Sequence, residues 1–169
     1  MIDLSTALGR LLCDGDLRED FRADPAATLA SLELTEEDRL TLLALSPEDL
    51  EHQSLILRRK RFDLVRRLIP QTCARLEGNG WPPFQAYSHG EWPSGEDKDA
   101  AAFLEYLGKT SQRPNFPGEW NLLRFLTSPR KLSLHLVSEP STKGWGRTRL
   151  QILYRYRQRW QQVFLYFGL

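Results

Sequence analysis

Cysteine, histidine and methionine are scarce in this chain, at 2, 3 and 1 of 169 residues. Cys13 and Cys73 lie far apart and outside any CxxC pair, which argues against a disulfide framework and for a reduced, cytoplasmic setting. His52, His89 and His135 form no HxxxH or HExxH spacing and no His/Cys cluster, so neither a bound metal nor another cofactor is expected. GxSxG, GxGxxG and phosphate-loop motifs are missing as well, and no catalytic constellation stands out, so the chain reads as a non-enzyme. No run approaches the roughly 20 apolar residues that span a bilayer, and Met1-Ile2-Asp3-Leu4-Ser5 lacks the basic-then-apolar order of a signal peptide.

Net charge is almost absent too: 23 Lys and Arg against 22 Asp and Glu leave +1. That total argues against a strongly basic nucleic-acid binder, yet it hides a polarity. Residues 1–51 hold 4 bases and 13 acids, 52–77 hold 7 and 2, 78–127 hold 4 and 6, and 128–169 hold 8 and 1.

What is present in the first 77 residues is a series of helix starts. Ser5 is placed to cap a first helix bearing Leu8, Leu11 and Leu12, and Asp24-Pro25 sets a cap before a proline at the first helical position. Thr35-Glu36-Glu37-Asp38 and Ser46-Pro47-Glu48-Asp49 repeat cap plus acid, where the helix dipole favours carboxylates. The longest helix is expected from Pro47 to Ile69, stopped by Pro70, with Leu50, Leu57, Phe62, Leu64, Val65, Leu68 and Ile69 on one broad face. Arg59, Lys60, Arg66 and Arg67 fall opposite. Arg58 and Arg61 project within the apolar arc, where a guanidinium must snorkel, pair with a carboxylate or meet a partner.

Residues 78–95 concentrate Gly, Pro and aromatics and predict an ordered loop with a short helix around Phe84–Ser88; a plain linker would not need both Trp81 and Trp92. Further helices are expected over Asp99–Leu107 and Gly118–Leu126. After Pro129 the apolar period changes from 3.6 to 2. Leu132, Leu134 and Leu136 alternate with Ser133, His135 and Val137, and two more alternating runs follow, the second tight turn lying around Arg157-Gln158-Arg159. The expected fold is therefore α+β: an N-terminal helical bundle over residues 1–127, then a three-stranded antiparallel meander over 128–169 packed on it.

Leu150, Ile152, Phe164 and Tyr166 are expected to cover the helices, leaving Leu153, Arg155, Arg157, Arg159, Val163, Leu165 and Phe167 for a partner. A meander also has open edges, at the Lys131–Val137 strand and at the central or terminal strand depending on order. Such an edge accepts an extended peptide, and the basic character of 128–169 would steer an acidic one to it. Leu132, Leu134, His135, Leu136, Arg155 and Arg157 are the candidate peptide-binding residues. Nucleic acid is the competing ligand, through the basic 58–67 helix or the basic aromatic sheet of a regulatory protein, although no RNP-like or GXXG pattern is present.

The segment Arg59-Lys60-Arg61-Phe62-Asp63-Leu64-Val65-Arg66-Arg67-Leu68-Ile69-Pro70-Gln71-Thr72, followed by Phe84-Gln85-Ala86-Tyr87, Trp92-Pro93-Ser94-Gly95, Asp99-Ala100 and Phe103-Leu104, resembles the accessory subunits found beside multinuclear non-heme iron-dependent oxidases, the methanobactin oxidase partner among them. Leu11-Leu12-Cys13-Asp14 through Leu34-Thr35-Glu36-Glu37-Asp38 is also similar to small helical modules of actinobacterial and proteobacterial proteins and to nitrogen-fixation-type leader segments. The first resemblance implies helices first and a small sheet last. It further implies a non-catalytic subunit that forms a heterodimer with the iron-dependent oxidase and captures the leader of a ribosomally made precursor peptide on its sheet edge. The iron ligands in such a pair belong to the oxidase. Arg58, Arg61, Trp92 and Trp145 are the candidate partner contacts, and the chain is shorter than many such subunits.

Overall fold

A computed structural model describes residues 2–90, 92–110, 116–139, 147–156 and 159–166. The described residues form α1 (Leu4–Cys13), α2 (Gly15–Ala23), α3 (Pro25–Ala30), α4 (Glu36–Leu43), α5 (Pro47–Leu68), α6 (Pro70–Arg75), a 3-10 turn (Glu77–Gly80), α7 (Trp81–Tyr87), α8 (Glu96–Lys109) and α9 (Pro117–Leu126). Three strands follow, β1 (Leu132–Glu139), β2 (Arg147–Tyr156) and β3 (Arg159–Tyr166), antiparallel and ordered β1-β2-β3. The fold is α+β, with helices first and a three-stranded sheet last. No helix among the described residues is long and apolar enough to cross a membrane.

Local chemistry accounts for the helix starts. Asp24 accepts from Ala27 N ahead of Pro25, Thr35 Oγ1 from Asp38 N, and Ser46 Oγ from Asp49 N, each satisfying an amide that the first turn leaves without a partner. The first cap is Asp3 rather than Ser5: its carboxylate accepts from Thr6 N at 2.7 Å and from the Ser5 hydroxyl. Asp14 likewise caps α2 through Asp16 N and Leu17 N. In the expected loop, Gly78, Asn79 and Gly80 all take positive φ, which favours glycine at two of the three positions.

The chain divides into two compact units, Met1–Leu64 with Pro82–Pro93, and Val65–Trp81 with Ser94–Leu169. The 127/128 boundary marks where helix gives way to sheet, and the second unit takes in α6, α8 and α9 together with the sheet. The core of the first unit joins Ala7, Leu11, Phe21, Leu29, Leu32, Leu34, Leu42 and Leu50. Its returning segment is tied down at α2, where Gly15 N donates to the His89 carbonyl at 2.8 Å and a side chain at Gly15 would collide with the His89 ring. On α5 the buried positions include Leu50, Ser54, Arg58, Arg61 and Phe62, whereas Leu64, expected on the apolar face, is exposed.

In the second unit α9 packs on β1 and β2, with Leu122, Phe125 and Leu153 in one cluster and Val137 fully buried. Glu119, in the first turn of α9, closes the start of α6: its carboxylate accepts from Gln71 N at 2.6 Å, Thr72 N at 3.0 Å and Thr72 Oγ1 at 2.5 Å. The register pairs Leu134 with Ile152, Leu136 with Leu150, Ile152 with Val163 and Leu150 with Leu165. One face thus carries Leu132, Leu134, Leu136, Leu150, Ile152, Val163 and Leu165, and the other carries Val137, Arg149, Gln151, Leu153, Phe164 and Tyr166. This corrects the expected faces. Leu150 and Ile152 turn away from α9, and Leu153, expected outside, is buried.

Candidate peptide-binding edge

β1 is an edge strand, bonded to β2 and to no other described strand. Arg155 N donates to the Lys131 carbonyl at 2.9 Å, so 131 and 155 form a hydrogen-bonded pair of the ladder, and by the antiparallel alternation so do 133 and 153, 135 and 151, and 137 and 149. The backbone N–H and C=O groups of Leu132, Leu134, Leu136 and Ser138 therefore point away from β2. Their side chains share the uncovered face. Leu132 and Leu134 are each 57% exposed and Leu136 72%, and the row continues through half-buried Leu150 and Ile152 to exposed Val163 and Leu165. A soluble sheet that keeps one face wet normally alternates apolar with polar residues; here the wet face is the more apolar one.

On the other face, Ser133 and His135 line a hollow of about 330 Å³ whose remaining described walls are Asn121, Arg124 and Phe125 of α9 and Thr127, Ser128 and Arg130 beyond it. β2 and β3 contribute no described wall, which puts the hollow on the outer side of β1. Ser133 Oγ and His135 Nε2 share a hydrogen bond of 2.6 Å. Burial, then the charges of Arg124 and Arg130, hold the His135 pKa below the usual imidazole value, so the ring is neutral at neutral pH. Among the described residues, no carboxylate lines the hollow.

The other candidate residues are placed as follows. Arg155 directs its guanidinium at the end of α9, donating to the carbonyls of Ser128 at 2.7 Å, Phe125 at 3.1 Å and Leu126 at 2.6 Å while lying over the Phe125 ring. It satisfies carbonyls that the helix end leaves open, which a peptide ligand would have to displace. In the first unit, Arg58 and Arg18 share the Glu51 carboxylate at 2.5 and 3.0 Å. Arg61 sits among three rings, 4.8 Å from the Trp92 centroid, 5.3 Å from Tyr87 and 5.5 Å from Phe84. Arg58 and Arg61 are both buried, so they hold their own unit together. Trp145, Arg157 and Phe167 lie outside the described residues.

Sequence reasoning did not single out Ser133, Arg124 or Arg130. The Ser-x-His spacing on a strand was available, with Arg130 just before that strand, but nothing local joins them to Arg124 on α9. Neither thiol adds a nucleophile. Burial, and then the charge of Glu119, pushes the Cys73 thiol up to about 12, and burial raises Cys13 more modestly. Iodoacetamide at pH 8 is accordingly expected to leave Cys73 unmodified in the folded protein and to modify it in urea; peptide mapping that finds native Cys73 labelled at the unfolded rate would contradict this burial. No protein-family description, curated protein or solved structure matches the chain.

Proposed function

We propose that the chain is a non-catalytic accessory protein that captures the leader of a ribosomally made precursor peptide by strand addition to β1 and presents it to a multinuclear iron-dependent oxidase. One observation carries the peptide-binding part: the outward backbone groups of β1 and the most exposed leucine row of the sheet belong to the same residues, Leu132, Leu134 and Leu136. An added strand would satisfy the first and extend the second. The oxidase part rests on the resemblance of the 59–104 motifs. The uncovered Leu150, Ile152, Val163 and Leu165 are apolar surface available to such a subunit, whereas Arg58 and Arg61 have internal roles.

Leu134→Pro tests strand addition. The Leu134 N–H points outward, so proline there leaves the β1–β2 ladder intact and removes a donor only from the free edge. Co-expressed with an iron oxidase and a tagged precursor peptide from the same organism, the wild-type chain is expected to co-purify with both, with iron retained on the oxidase. Leu134→Pro is expected to keep its far-UV circular dichroism and lose at least about tenfold in peptide affinity, from the lost bond and the steric block. Undiminished capture by the folded variant, or iron held tightly by this chain alone, would overturn the proposal.

A further inference from the structure

We infer that the β1 edge selects an extended peptide in which acidic and apolar side chains alternate, the acidic ones entering the hollow of Arg124 and Arg130. The inference rests on the strand-addition proposal and adds the chemistry of the ligand. A strand laid along β1, in either direction, places successive side chains on opposite faces of the sheet. Ligand residues opposite Leu132, Leu134 and Leu136 fall on the uncovered apolar face, where they lengthen an existing leucine row. Those opposite Ser133 and His135 fall over the hollow, whose described walls hold two arginines and no carboxylate.

The hollow is suited to carboxylates. Asn121 offers a neutral amide donor, while the Thr127 and Ser128 hydroxyls already donate to the Leu123 and Phe125 carbonyls and Ser133 is engaged with His135, so the two guanidiniums, which match a carboxylate in plane and in charge, carry the recognition. A lysine-bearing ligand would instead bring a third cation beside Arg124 and Arg130. The far edge of the sheet lacks this selectivity: the hollow beside β3 already contains Glu119 together with Arg67 and Arg149. A five-residue core of apolar, acidic, apolar, acidic and apolar residues follows as the preferred ligand, because three leucines and two intervening positions define it.

The test uses the full chain and two labelled peptides, Thr-Val-Glu-Val-Glu-Val-Thr and its counterpart with lysine in place of glutamate, read by fluorescence anisotropy. The glutamate peptide is expected to bind at least about tenfold more tightly, a preference set by two partly exposed charge contacts and weakened by added salt. The Arg124→Gln/Arg130→Gln variant, both of whose sites are on the surface, is expected to remain folded and to lose that preference. Leu134→Pro is expected to weaken both peptides. Equal binding of the two peptides, or a preference that survives the double substitution, overturns the acidic specificity while leaving strand addition standing if Leu134→Pro still abolishes binding. Glutamate-peptide binding unaffected by Leu134→Pro overturns strand addition itself. No binding of either peptide, or tighter binding of single-stranded oligothymidylate than of the glutamate peptide, overturns the inference outright.

Discussion

Phe84→Ala is expected to cost the first unit about 4 kcal/mol, within the usual range for deleting a buried aromatic ring. Phe84 is fully buried, its ring centroid 5.0 Å from Phe62 and 5.5 Å from Tyr87, with the Arg61 guanidinium over it at 5.5 Å. Three effects coincide on truncation. The ring's transfer free energy is lost, a cavity opens beside Phe62, and the guanidinium of Arg61 loses one wall of its aromatic surroundings. Phe84→Leu separates them, because it restores most of the volume without the π face and is expected to cost about half as much. Urea denaturation should show a lower midpoint with an unchanged slope. A loss below about 1 kcal/mol for Phe84→Ala would mean that the site collapses around the missing ring and that Arg61 does not depend on it.

The helical half was legible because its signals are local. A cap residue, a following proline or acid and a short apolar period sit within four or five residues, and Asp24, Thr35 and Ser46 act as their positions suggest. Even the displacement of the first cap from Ser5 to Asp3 is a choice between neighbours. The strands were legible from their period of two, and the meander from their closeness in sequence. The buried face of the sheet was not. Ranking faces by hydrophobicity selects Leu150 and Ile152, whereas the face on α9 carries Arg149, Gln151, Leu153 and Arg155.

The reason lies in the backbone of α9. Gln151 donates to the Gly118 carbonyl at 2.9 Å at one end of the helix, and Arg155 donates to three carbonyls at the other. Leucine or isoleucine in place of Arg155 would leave the Leu126 and Ser128 carbonyls at the C-terminal end without this donor, and a buried carbonyl without a donor costs about 1–3 kcal/mol, comparable to what burying a leucine gains. Such pairings join residues about 30 positions apart and leave no periodic trace. The same holds for part of the hollow at β1, where His135 was visible as a histidine on an edge strand and Arg130 lies just before that strand, but Arg124 meets them only through the docking of α9.

Glu51→Ala is expected to destabilise the first unit by about 3 kcal/mol, because one carboxylate neutralises two buried guanidiniums. Arg18 and Arg58 have side chains only 5% and 4% exposed, and each points at Glu51. Arg18 keeps acceptors in the carbonyls of Leu11, Leu12 and Asp14 when the carboxylate goes, but the bond to Glu51 is the one that brings a countercharge to Arg58. The expected loss sits at the low end for broken buried pairs, since Glu51 itself is 41% exposed and water partly screens it. Burial pushes the Glu51 pKa up; the hydrogen bond and charge of Arg18, with those of Arg58, outweigh it and hold the carboxyl below its ordinary 4.5. The stabilisation is therefore complete above the unfolded-state value near 4.5 and falls away as pH drops through the lower folded-state value. Wild-type stability should decline across that window more steeply than that of Glu51→Gln, which keeps an acceptor but cannot titrate. Arg58→Met, which removes a buried charge and keeps the length of the side chain, should cost less than Glu51→Ala, and the two together should cost less than the sum of their separate effects. Additive losses, or equal pH slopes for wild type and Glu51→Gln, would show that Arg58 is stabilised by something other than this carboxylate and would return it to the candidates for an external partner.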